Sequence, residues 1–247
     1  MTSLVQALRY LTIVPVPART AHGMEAPGRA AAWFPAVGLA IGAALVGVER
    51  LTSVLFPSLL SALLTVTVWK VLTGGLHLDG LADCLDGLVG RDAPHRLSIM
   101  RDSRIGAFGA VGLILFLLLE IAAVAELRPG LRWRALLVLP AIARATPPLL
   151  ASLFPPATAE GHGATFRTGV RWSAAPLALG LALAFAWAAL DLPGLLLAGA
   201  AILTAVVFAW FMALRLSGIT GDVYGAAIEV AELAGLLTVS AWAHVRL

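Results

Sequence analysis

Charge is what this chain has least of. Asp, Glu, Lys and Arg make up 13% of its 247 residues, well under the roughly 25% usual in a soluble domain. Hydrophobic residues reach 60%, and the mean hydropathy is +0.93. A soluble fold of this length has too little core to hide that much apolar surface, so the excess must face lipid. A single cysteine, Cys84, excludes an internal disulfide. The net charge of +3, nearly all of its basic part Arg, is too small and too scattered for nucleic acid. It suits a protein held at an anionic membrane surface. The N-terminus lacks a basic start, and Pro15 and Pro17 interrupt its short apolar stretch, so it does not read as a signal peptide. Residues 2–14 are instead expected to form a short helix lying in the interface, with Arg9 and Tyr10 at headgroup level. No repeat or low-complexity array stands out, and no stretch is free for a separate soluble domain. A single membrane-embedded domain, 1–247, is expected.

What the chain has in abundance is apolar stretches of spanning length. A membrane helix needs about 20 mostly apolar residues, and seven segments qualify: 31–49, 54–73, 105–126, 135–154, 174–190, 194–214 and 225–243. Residues Asp191–Pro193 form a tight turn between the fifth and sixth, and the count lies between six and eight. The expected fold is therefore all-α, a polytopic helical bundle. Gly38 and Gly42, four residues apart on the first span, permit close packing against another helix. With seven spans, ten arginines (9, 19, 29, 91, 96, 101, 104, 167, 171 and 215) fall on the side of the N-terminus and five (50, 128, 132, 134 and 246) on the other. Lys70 and Arg144 fall within spans. The bias places the first side in the cytoplasm.

The most informative stretch is GGLHLDGLADCLDGLVGRDAPHRLSIMRDSRIGAFGA, residues 74–110. Asp79, Asp83 and Asp86 stand at i, i+4 and i+7, spacings that return to one face of a helix. Three carboxylates on one face of an otherwise apolar helix repel one another, and a divalent cation relieves that repulsion. Oxygen-only ligands suit Mg²⁺, Mn²⁺ or Ca²⁺ rather than zinc. Arg101 and Arg104 follow, with Asp102 between them, and Arg binds phosphate through paired hydrogen bonds. A second acidic group lies in GITGDVYGAAIEVAEL, where Asp222 and Glu229 are again seven apart and Glu232 is three further on. The segment PPATAEGHGATFRTGVRW, with Glu160, His162, Arg167 and Arg171, fits a substrate loop. His77 and His162 do not make a metal-ligand pair by spacing, and Cys84 lies off the aspartate face. Glu120, inside the third span, has no assigned role. The topology puts all three polar segments on one face, and carboxylates with a divalent metal beside Arg read as phosphoryl or nucleotidyl transfer.

At these residues the chain resembles the cobalamin synthase family, also called adenosylcobinamide-GDP ribazoletransferase. The resemblance is carried by GGLHLDGLADCLDG, IMRDSRIGAFG and TGDVYGAAIE, with LTIVPVP and WFPAVGLAIGA before them, and it covers most of the chain in order. It implies a Mg²⁺-dependent inner-membrane enzyme that joins adenosylcobinamide-GDP to α-ribazole, or its 5′-phosphate, and releases GMP. It also implies that Asp79, Asp83 and Asp86 form the metal and diphosphate end of a site facing the cytoplasm. Asp102 is expected among the catalytic carboxylates, and His77, Arg101, Arg104, Asp222 and Glu229 at the substrate. Two other readings differ from it. One is a CDP-alcohol phosphotransferase, whose paired-Asp helices are spaced differently. The other is a transporter, which would bury its acids near the midplane of several spans.

Overall fold

The computed structural model describes residues 3–16 and 27–245; Thr2, Pro17, Arg19 and Arg246, which figured above, lie outside them. The described residues form no strand, only an isolated parallel bridge between Pro156 and Ile219. The helices are α1 (Ser3–Leu11), α2 (Phe34–Leu55, entered through a 3₁₀ turn, Pro27–Trp33), α3 (Ser58–Leu72), α4 (Leu76–Gly87), α5 (Ala93–Met100), α6 (Ala107–Glu126), α7 (Pro129–Ala143), α8 (Thr146–Leu153), α9 (His162–Gly169), α10 (Ala174–Leu216) and α11 (Gly221–Val245).

Two boundaries differ from the sequence expectation, both because a charged residue that looks like loop is buried inside helix. Helix α2 runs past Glu49 to Leu55, and α7 begins at Pro129 and takes in Arg132. The two side chains meet across the helices at 3.3 Å, and Arg132 also donates to the Ser58 hydroxyl and to the carbonyls of Ala125 and Leu127. The charges satisfy each other, so neither helix has to end there. What ends α2 is Pro57, which holds Phe56 extended. The fourth expected span is in fact two helices, α7 and α8, parted at Arg144–Ala145 after Pro140 and before Pro147 and Pro148.

Helix α10 is 43 residues long, which at about 1.5 Å per residue is twice the roughly 30 Å of a bilayer core. It doubles back instead. Asp191 leaves helical geometry (φ 54°, ψ −136°) ahead of Pro193, and Gly194 lies so close to Ala186 that a side chain there would overlap its carbonyl. Eight residues apart on one straight helix, these two could not touch. The segments 174–190 and 194–214 are therefore two antiparallel arms, as the sequence suggested. Their inner faces are nearly all alanine: Ala178, Ala182, Ala186, Ala198, Ala201, Ala205 and Ala209 are fully buried, which lets helices pack closely without a hydrophobic drive.

Among the described residues, five helical segments are long and apolar enough to span a membrane, six if α3 and α4, which meet at 90°, count as one broken span. The second arm of α10 makes seven. Exposed apolar side chains such as Ile114, Leu118, Leu203, Val207 and Leu214 mark the lipid-facing surfaces of α6 and α10. Gly38 and Gly42 seat α2 directly on the backbone of α7 at Pro140 and Leu137.

At the bundle's centre is a network of charged side chains. Lys70 Nζ lies 2.9 Å from Glu120, 2.6 Å from Glu229 and 3.5 Å from Glu232, and Arg144 donates to Glu232 at 2.6 Å. All five residues are buried. Charges this deep persist only when paired, which explains why Lys70, Arg144 and Glu120 can sit within spans.

Candidate active site

The site begins where α3 ends. Gly74 and Gly75 adopt φ of +66° and +67°, the left-handed conformation that glycine takes without penalty, and they turn the chain through 90° into α4. Helix α4 then crosses the start of α11. At the crossing Gly80 has no side chain to spare: an added Cβ would lie 2.7 Å from the carbonyl oxygen of Asp222. This close approach brings Asp222, in the first turn of α11, beside Asp79 and Asp83 on α4. The grouping has an electrostatic cost. Partial burial, followed by the negative charges of Asp79, Asp222 and Asp86, pushes the Asp83 carboxyl up to about 7.

Asp86 continues the same helical face but is directed elsewhere. Its two oxygens accept the backbone N–H groups of Gly106 at 2.7 Å and Gly109 at 2.8 Å. These are free donors at the N-terminus of α6, and a carboxylate there is favoured by both the hydrogen bonds and the helix dipole. The i, i+4, i+7 spacing is real, but only the first two aspartates look toward Asp222.

Three cavities open around Asp79, Asp83 and Asp222, and a fourth, of about 460 Å³, is lined by Asp86, Asp102 and Arg104. One of about 520 Å³ is lined by Asp79, Asp83, Arg101, Asp102 and Arg104. There Arg104 donates to Asp102 from Nη2 at 2.6 Å and from Nε at 3.0 Å, and these bonds hold the exposed Asp102 carboxyl down at about 2. A smaller cavity of about 130 Å³ joins Arg101 to Asp222, Thr220, Thr158, Glu160 and His162. The third, about 350 Å³, has His77, Asp79, Asp222 and His162 among its lining and is otherwise largely aromatic and apolar. His77 is buried in its wall; burial, with the positive charges of Arg144 and Lys70, keeps the imidazole neutral. The three polar segments thus meet at one end of the bundle. The Pro156–Ile219 bridge joins two of them, and Arg96, which donates to the Arg215 carbonyl at 3.2 Å, ties in α5.

Of the residues singled out in the sequence, His77, Asp79, Asp83, Asp86, Arg101, Asp102, Arg104 and Asp222 line these cavities. Glu229 does not: it is 1% exposed and bonded to Lys70 in the central network. The aromatic side chains of Tyr10, Phe34, Phe166 and Tyr224 were not picked out as a group, since they come from four distant segments. Each lies in a stretch that the sequence singled out, but nothing in local pattern joins the four.

Among the described residues, Glu120, Glu229 and Glu232 alone bring three carboxylate oxygens within 4.8 Å of one another. The Lys70 ammonium already fills that space. Asp79, Asp83 and Asp222 form a more open set. Their oxygen donors and crowded negative charge match a hard divalent cation that keeps some of its own waters and takes further ligands from a substrate.

The fold and site define a polytopic helical membrane protein with a carboxylate and arginine cleft at one end of its bundle. The chain belongs to the cobalamin-5-phosphate synthase family, whose pattern it matches over residues 3–240. Curated relatives named adenosylcobinamide-GDP ribazoletransferase include one from Geotalea daltonii, 37% identical over 95% of both chains. Another, from Brevibacillus brevis, is 38% identical over 98% of this chain and 99% of the relative. A third, from Pseudomonas paraeruginosa, is 40% identical over 97% of this chain and 98% of its own. No solved structure matches the chain.

Proposed function

We propose that the chain is the transferase its relatives are named for, joining adenosylcobinamide-GDP to α-ribazole or its 5′-phosphate with release of GMP. One observation carries the assignment to this site. Asp79 and Asp83 from α4, Asp222 from α11, and Arg101 and Arg104 from the α5–α6 connection converge on adjoining cavities. That is the equipment of phosphoryl transfer: carboxylates for a cation and arginines for phosphate oxygens.

In this reaction a ribazole hydroxyl forms a new P–O bond to the phosphorus attached to cobinamide. The P–O bond to GMP breaks, and the hydroxyl proton is lost to base or water. Arg101 and Arg104 hold the diphosphate, and Asp102 fixes the Arg104 guanidinium through its paired hydrogen bonds. Asp79, Asp83 and Asp222 would hold Mg²⁺, and the ion would supply positive charge beside the phosphate oxygens. Asp86 acts through position: it pins α4 to the start of α6 and so sets the angle at which Asp79 and Asp83 are presented. The ten-to-five arginine bias supports an inner-membrane orientation in which this end faces the cytoplasm, where the nucleotide substrate is found.

A transporter with intramembrane acids as ion sites loses its best candidate, because Lys70 and Arg144 already compensate Glu120, Glu229 and Glu232. The test is direct. Detergent-purified protein given both substrates and Mg²⁺ should release GMP and form a cobalamin product, and EDTA should stop it. A folded, monodisperse sample that releases no GMP contradicts the assignment.

A further inference from the structure

A transfer between two substrates needs two compartments that share the reacting centre, and Asp79 lines two cavities of unlike chemistry. The larger holds Arg101 and Arg104. The other, about 350 Å³, carries the rings of Tyr10, Phe34, Phe166 and Tyr224. Three of these form a near-parallel array: Tyr10 and Phe166 are 6.1 Å apart with planes 8° from parallel, and Phe34 lies 5.8 Å from each at 20° and 28°. Tyr224 meets Phe166 edge-on at 5.1 Å.

Two polar atoms in this wall have no partner. The Tyr224 hydroxyl and His77 Nδ1 are buried and make no hydrogen bond among the described residues. Burying such groups without partners costs free energy, and both belong to residues that line the cavity. Each is a place for a ligand hydroxyl. Asp79 and Asp222 bring the aspartate cluster to the same cavity.

From this geometry we infer that the aromatic cavity is the subsite for the acceptor nucleoside, a planar heteroaromatic base carrying a ribose. Phe34 and Phe166 are buried behind Tyr10, so the base packs against Tyr10, which they back; ribose hydroxyls satisfy His77 Nδ1 and the Tyr224 hydroxyl; the attacking hydroxyl then points toward Asp79 and Asp222. The volume lies at the small end of the roughly 300–1,000 Å³ that holds drug-sized ligands, which admits a nucleoside and excludes a corrin ring. The diphosphate of the donor takes the arginine side. This division rests on the transferase reading above.

The two compartments can be separated by binding. α-Ribazole alone, and adenosylcobinamide-GDP alone, are titrated into the detergent-solubilised full chain and followed by tryptophan fluorescence. Tyr224→Phe removes one hydroxyl with little change in shape and should weaken α-ribazole binding about fivefold, as expected for one lost hydrogen bond. Tyr10→Leu should weaken it about tenfold through lost ring contact. Donor affinity should stay within twofold of wild type in both variants. If Tyr224→Phe leaves α-ribazole affinity unchanged, or if both variants weaken the donor instead, the subsite is wrong. Wild type that binds α-ribazole in a Tyr224- and Tyr10-dependent way but releases no GMP would leave the subsite standing and overturn the transferase reading.

Discussion

Among the described residues Lys70 is the only cation bonded to Glu120 and Glu229, and it also lies 3.5 Å from Glu232, which Arg144 holds. Three carboxyl groups face Lys70 and Arg144, so the network holds one acid more than it has cations to match. Lys70→Met preserves the length and apolar stem of the side chain but raises that imbalance to two and strips Glu120 and Glu229 of their partner. Removing one member of a buried ion pair costs about 3–5 kcal/mol. For a chain of this size each kcal/mol is worth about 2–4 °C of melting temperature, so Lys70→Met should melt roughly 6–20 °C below wild type. Unfolding in detergent, followed by tryptophan fluorescence, measures this. The stronger test is the double variant. Adding Glu229→Gln to Lys70→Met returns the charge imbalance to one, so melting should rise relative to Lys70→Met alone. A Lys70→Met protein that melts within 2 °C of wild type, or a double variant that melts lower still, would refute the compensated network.

Three further outcomes follow from the geometry. With Cys84 replaced by Ala, an impermeant maleimide should label Asp191→Cys from outside the cell and Trp172→Cys only after permeabilisation, because Asp191 is the tip of the α10 hairpin; labelling of both from one side contradicts the hairpin. Gly80→Ala should lower turnover roughly tenfold to a hundredfold, as a displacement approaching 1 Å does, because its methyl group would meet the Asp222 backbone at 2.7 Å; unchanged turnover would mean that the α4–α11 contact does not set the site. Asp83, pushed up to about 7, is mostly protonated and neutral below that pH. It must lose the proton to hold a cation, so Mg²⁺ affinity measured by calorimetry should rise with pH through about 7 and then level. A flat profile removes Asp83 from the ligands.

The sequence disclosed the parts of the fold that depend on composition. The seven apolar stretches, the turn at Asp191–Pro193 and the Gly38–Gly42 contact all follow from local pattern, and the structure contains each of them. Local pattern failed where a charge is cancelled by a residue far away in the chain. Arg132 reads as loop until Glu49 is seen beside it, and Glu120 has no meaning without Lys70. The same limit governs the site. The spacing of Asp79, Asp83 and Asp86 correctly gives a shared helical face, but only the packing of α6 shows that Asp86 caps another helix. Glu229 and Asp222 are seven residues apart on one helix, yet one faces the buried network and the other the cavities. The aromatic cavity is assembled from α1, the start of α2, α4, α8, α9 and α11, and no single segment announces it.

The central claim is that α4 and α11 together make one phosphoryl-transfer site. It is tested most directly by GMP release from adenosylcobinamide-GDP and α-ribazole with wild type, Asp83→Asn and Asp222→Asn compared at saturating Mg²⁺. The account predicts that wild type turns over and that each variant, though folded with a near-wild-type melting temperature, loses at least a hundredfold in rate. Full activity in Asp222→Asn would contradict it, since α11 would then contribute nothing to the chemistry that α4 was supposed to share with it.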